Sequence, residues 1–236
     1  MSARVLDTGG ALPQGDEKRR AVAAMFDRVA PDYERVNRVI SLGLDRRWRA
    51  RTVESLHLPH GGRVLDLACG TGDLARDLER DDHDVIGVDL SAGMLRAAHT
   101  SAPLAQGDAA ALPFASESFD GVTCGFALRN FVELPAVFAE VARILRRGGR
   151  VAALDAAVPE HLLLRAGNAI WFRGAVPLLG RILSSDAEAY RYLPRSTRYL
   201  PAGPALVAAL EDAGFTACAR VTMTGGSVQL LTGTRA

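Results

Sequence analysis

Apolar residues first recur along the chain at helical spacing. Val22, Met25, Phe26 and Val29 fall on one face of a predicted helix over residues 17–30. Pro31 and Asp32 break that helix, and Tyr33, Val36, Asn37 and Ile40 mark a second. SLGLDRRWRARTVESLHL then leads into a region with a different period. VLDLA is a short apolar run ending at glycines, the pattern of a buried parallel strand. GDLARDLER reads as helix, DVIGVDL as strand, SAGMLRAAH as helix, and PLAQGD holds a weaker third strand. FDGVTCGFA reads as a fourth strand, PAVFAEVARILRRGG as a helix stopped by its glycines, and RVAALDA as a fifth strand. This alternation predicts a doubly wound, Rossmann-like α/β sheet. The stretch 159–201 interrupts it with apolar and aromatic helical text. GPALVAALEDAGF is then a helix, and TACARVTM and SVQLLTGT are close enough across Thr224 to Gly226 to pair as a hairpin, which brings the strands to seven.

Residues 1–16 are rich in Gly, Pro and small polar side chains and are predicted to be a disordered tail. Residues 17–236 are expected to form a single domain, with 17–60 as an N-terminal helical cap and 159–201 as a helical insertion on the substrate side. The chain has 236 residues, 48% of them hydrophobic, enough for a sizeable core. A net charge of +1 gives no global field to recruit nucleic acid or an anionic membrane, and leaves room only for local patches. The N-terminus lacks the apolar segment of a signal peptide, and no apolar run reaches the roughly 18 residues of a spanning helix. These features point to a cytoplasmic protein with at most peripheral membrane contact. Cys69, Cys124 and Cys218 are odd in number and lack metal-type spacing, as do the histidines, so no metal is expected.

The candidate chemistry begins after the first strand. Gly70, Gly72 and Ala75 give a G-x-G-x-x-A spacing, which lets backbone approach a ligand closely and opens a helix. That loop suits a dinucleotide dehydrogenase equally well. Asp89 ends the second strand, where a carboxylate can accept ribose hydroxyls. Asp66, just ahead of the loop, can face a cationic amino group, which S-adenosylmethionine has and NAD lacks. Asp108, after the third strand, can hydrogen-bond an adenine amine. Together the three aspartates favour S-adenosyl-L-methionine as cofactor. There is no G-K-[ST], so no P-loop, and with Lys18 as the sole lysine no Tyr-x-x-x-Lys dehydrogenase pair can exist.

Four stretches resemble the C-methyltransferases that methylate the quinone ring in menaquinone and ubiquinone biosynthesis: MFDRVAPDYERVNRVISLGLDRRWR, then VLDLACGTGDLA with VIGVDLSAGML, then GDAAALPFASESFDGVTCGFALRNF, and AYRYLPRST with the terminal TGGSVQLLTGT. The resemblance implies cofactor contacts at Thr71, Asp89, Asp108 with Ala109, and Cys124. It also implies that Arg129 and Asn130 face the substrate and that Tyr33 closes over the site. Departures are Glu34 and Val36 in the first stretch, Ala127 in FALRN, and LDAAVPE after the fifth strand.

On this basis the expected reaction is C-methylation of a lipid-soluble, prenylated quinol; another small aromatic or polyketide-like acceptor is the competing substrate, and a regulator that binds cofactor without catalysis the competing class. Arg129, helped by Asn130 or a water, would stabilise the phenolate of the acceptor, while water or Tyr33 takes its proton. An ion pair of Arg129 with Glu133 is the competing structural role. Trp171, Phe172, Leu178, Leu179, Ile182 and Leu183 would line a groove for the prenyl tail, and Tyr190, Tyr192 and Tyr199 are rim or core. A homodimer is compatible with the sequence.

Overall fold

The computed structural model describes residues 14–171, 174, 176, 192 and 195–236. The predicted tail up to residue 13, the groove residues Phe172, Leu178, Leu179, Ile182 and Leu183, and the rim or core residue Tyr190 lie outside the described residues.

Strands β1 (Arg63–Leu67), β2 (Asp84–Asp89), β3 (Leu104–Gln106), β4 (Phe119–Gly125), β5 (Leu145–Ala156), β6 (Phe215–Met223) and β7 (Val228–Arg235) form one sheet in the order β3-β2-β1-β4-β5-β7-β6. β1 pairs in parallel with β2 and β4, and β7 runs antiparallel to both β5 and β6. The order reverses between β1 and β4, which places the ligand crevice at their carboxyl ends. The predicted hairpin is present and turns through Thr224–Gly226.

The helices are α1 (Gly15–Val29), α2 (Tyr33–Ile40), α3 (Asp45–Glu54), α4 (Asp73–Arg80), α5 (Ala92–Arg96), α6 (Leu134–Ile144), α7 (Leu162–Ile170) and α8 (Gly203–Asp212). α1 begins at Gly15, two residues earlier than the predicted start at residue 17. SLGLDRRWRARTVESLHL, read above as a lead-in, carries α3. α6 stops earlier than its glycines suggested. Leu145 is already extended and pairs with Phe119, so RRGG belongs to the strand side of the junction.

Alternation along β1 sorts the core. Leu65 and Leu67 pack with Val122, Val137, Phe138 and Leu206 on one face. Val64 packs with Val53, Leu74, Leu78 and Leu154 on the other, the face that Asp66 shares. A third cluster joins Val22, Met25 and Val29 of α1 to Val36, Met94 and Tyr192. That cluster holds the N-terminal helices over the crevice.

Candidate active site

The crevice consists of two adjoining cavities of about 770 Å³ and about 230 Å³. Both are lined by Phe26, Tyr33, Ala68, Gly70, Gly125 and Phe126. The smaller one holds Asp89, Asp108 and Ala109, and the larger one Asp66, Thr71 and Arg129.

The loop between β1 and α4 makes the floor. Ala68, Gly70 and Gly72 take positive φ angles of 55°, 56° and 85°. A Cβ at Gly72 would lie 2.8 Å from Thr100 Cγ2, so glycine is required there for space as well as conformation. The Gly70 amide donates to Asp89 Oδ2 at 2.8 Å, and the Ser91 amide to Oδ1 at 2.8 Å. The Asp89 carboxylate therefore points along the loop; its burial raises its pKa. Thr71 Oγ1 is buried against the larger cavity and has no protein partner. A buried hydroxyl of this kind calls for a ligand or water partner.

Asp66 is fully buried. Its Oδ2 accepts from the Ala75 amide at 3.0 Å and its Oδ1 from Thr123 Oγ1 at 3.0 Å. Burial, more than the nearby Asp89 and Asp73, pushes its pKa up to about 7. It orients α4 as well as facing the cavity, a double duty that its position in the sequence did not reveal. Asp108 accepts from the Ala110 amide at 3.0 Å and from Arg19 at 2.7 Å, which ties the smaller cavity to α1.

Arg129 is buried, but its partner is not Glu133. It forms a salt bridge with Asp155, whose Oδ2 also accepts from the Arg129 amide at 3.0 Å. The guanidinium further donates to Phe126 O at 2.6 Å and Ser196 Oγ at 3.2 Å. Burial works against this charge, yet Asp155 together with the nearby Tyr33 and Tyr192 holds the Arg129 pKa above the usual value. Asp155 was legible only as the aspartate in LDAAVPE. Arg129 and Asn130 do not share a cavity: Arg129 lines the larger one and Asn130 the smaller. Asn130 accepts from Tyr192 Oη at 3.1 Å, so it anchors the segment ahead of α8. Tyr33 lies between the cavities, edge-on to Phe26 at 6.0 Å. Burial raises its pKa, so the phenol keeps its proton and is a poor base.

Cys124 departs from expectation. It is buried in the core with Val122 and Ala153 and lines neither cavity. The wall at that point is Gly125 and Phe126, and Phe126 holds a positive φ of 58°. Sequence reading missed Phe126, whose strained backbone carries no signal in a single sequence. It also missed Lys18, which donates to Phe131 O at 2.6 Å and sits 3.7 Å above the Tyr199 ring, with burial lowering its pKa to about 8. No group of three metal-ligating side chains occurs among the described residues.

The ubiE/COQ5 methyltransferase family model matches residues 14–235. The chain belongs to this family. It is 44% identical over 211 residues to the demethylmenaquinone methyltransferase of Roseiflexus sp. (strain RS-1), covering 86% of this chain and 89% of that one. It is 38% identical over 220 residues to the ubiquinone/menaquinone biosynthesis C-methyltransferase UbiE of Syntrophotalea carbinolica, covering 89% and 92%. The fold matches a SAM-dependent methyltransferase from Thermotoga maritima with a TM-score of 0.66 at 21% identity, over 90% of this chain and 99% of that one. The protein is thus a methyltransferase on the seven-stranded sheet its sequence predicted.

Proposed function

We propose that this methyltransferase uses S-adenosyl-L-methionine to methylate a ring carbon of a prenylated quinol of the demethylmenaquinol type. The observation that carries the reading is the pair of cavities meeting at Tyr33 and Phe126: the smaller holds Asp89 and Asp108, and the larger runs from Asp66 and Thr71 past Arg129 to the apolar side chains of Leu42, Leu163 and Leu164. The residues fit the cofactor. Asp89 would take the ribose hydroxyls, Asp108 with Ala109 the adenine, and Asp66, Gly70 and Thr71 the amino-acid end, while Gly72, which lines neither cavity, shapes the loop. Bound there, S-adenosylmethionine supplies a methyl group on a sulfonium, already activated for transfer.

The chain's own task is then positioning and charge placement. Arg129 cannot act as a base, because its guanidinium remains protonated in proteins. Its fixed positive charge, held by Asp155 against the larger cavity, stabilises a phenolate on the acceptor ring. Tyr33, protonated, donates a hydrogen bond at the junction; a water takes the proton. Asn130 supports this arrangement through Tyr192 rather than touching the acceptor. Methyl transfer from labelled cofactor to reduced demethylmenaquinone and to a panel of simple phenols tests the reading. Preference for the quinol supports it, and equal or greater transfer to untailed phenols refutes it.

A further inference from the structure

We propose that the rim of the larger cavity is a docking surface for an anionic lipid bilayer. The inference rests on the lipid-tailed acceptor proposed above. Helix α7 buries none of its residues. Leu162, Leu163 and Ile170 are 76%, 77% and 74% exposed, and Leu42 in the turn between α2 and α3 is 70% exposed. Clustered apolar exposure of this kind marks an interaction surface.

The exposed segments form one rim. Trp171 Nε1, at the end of α7, donates to Ile40 O at 3.2 Å, which joins α7 to the α2–α3 turn. Leu164 stands over Gly225 in the β6–β7 turn, where an added Cβ would meet its Cδ1 at 3.4 Å. The rim is continuous with the cavity: Leu42, Val158, Leu163 and Leu164 line the cavity wall as well as the surface. An apolar tail can therefore pass from bilayer to cavity without crossing water.

Charge selects the occupant. Arg38, Arg46 and Arg47 are exposed within five residues of Leu42, and Arg165 is exposed on α7. The acidic side chain nearest α7 in sequence, Glu160, lies 3.7 Å from Arg220. Apolar side chains collared by arginines suit an interface of acyl chains and anionic headgroups. A second copy of the chain suits it poorly, since a twofold contact would set arginine against arginine. No helix among the described residues is long and apolar enough to cross a membrane, so the contact is peripheral.

The test is cosedimentation of the full chain with vesicles of phosphatidylglycerol and phosphatidylcholine, against phosphatidylcholine alone. The wild type binds the anionic vesicles, and salt weakens binding. The double variant Leu162→Glu, Ile170→Glu, which alters no cavity-lining residue, binds about tenfold or more weakly. It retains wild-type methyl transfer to a water-soluble, short-tailed quinol, which certifies its fold. Arg46→Glu with Arg47→Glu weakens binding and flattens its salt dependence. The proposal is overturned if the wild type ignores anionic vesicles, if the leucine–isoleucine variant binds them equally, or if the rim instead drives dimerisation that the same variant abolishes. Vesicle binding without transfer to any quinol would count against the acceptor reading; transfer without vesicle binding would count against the docking surface.

Discussion

Asp155→Ala leaves the Arg129 guanidinium in a buried site without its countercharge. Asp155 is fully buried and spends both oxygens, on the Arg129 side chain and amide and on the Ala156 amide. Breaking a buried pair by removing one partner costs about 3–5 kcal/mol, because the remaining charge is desolvated and unpaired. For a chain of this size each kcal/mol lowers Tm by about 2–4 °C, so the expected fall is about 6–20 °C. The double variant Arg129→Leu, Asp155→Leu removes the orphaned charge and recovers most of that loss, while transfer activity stays abolished. Thermal unfolding of the wild type, Asp155→Ala and the double variant, with activity assayed at 20 °C, measures both. A drop under 2 °C for Asp155→Ala, or a double variant no more stable than the single, would refute the reasoning.

Asp66 makes stability and cofactor affinity depend on pH in opposite ways. Its folded pKa, near 7, lies above its unfolded one, so the folded state holds the proton between about pH 4 and 7 and stability falls as pH rises through that window. Thermal unfolding across that range shows this slope, and Asp66→Asn reduces it. Binding of the cationic cofactor strengthens over the same rise as Asp66 ionises, and calorimetric titration of Asp66→Asn gives a flatter profile; equal profiles refute the assignment. Thr71→Val removes a hydroxyl that lacks a protein partner, so unliganded Tm holds or rises, whereas cofactor affinity drops by about 1–3 kcal/mol. Gly72→Ala must hold a φ of 85° and press on Thr100, and denaturant titration should show a loss of about 1–3 kcal/mol together with weakened cofactor binding.

The sheet was legible because each strand carries its own apolar run and each helix its own period. The glycine loop and Asp89 were legible because strand-end position dictates where their side chains go. Arg129 and Asn130 line different cavities because a short 3₁₀ turn, Leu128–Asn130, directs adjacent side chains apart, and no periodicity encodes such a turn. Cys124 was taken from family likeness, while strand alternation, with Thr123 reaching Asp66, puts its neighbour's side chain on the core face. The ion-pair partner of Arg129 was not legible, because local spacing offers only neighbours in sequence such as Glu133, the competing structural role. The true partner is 26 residues away on β5. Long-range pairs of this kind exist only once the sheet brings strand ends together.

The central claim concerns a carbon atom. The purified protein, given methyl-labelled S-adenosylmethionine and reduced demethylmenaquinone, should yield a product whose label sits on the quinone ring carbon by carbon NMR, with Arg129→Ala yielding almost none. Label on a ring oxygen, or no labelled quinone from an enzyme that binds the cofactor, would contradict the account.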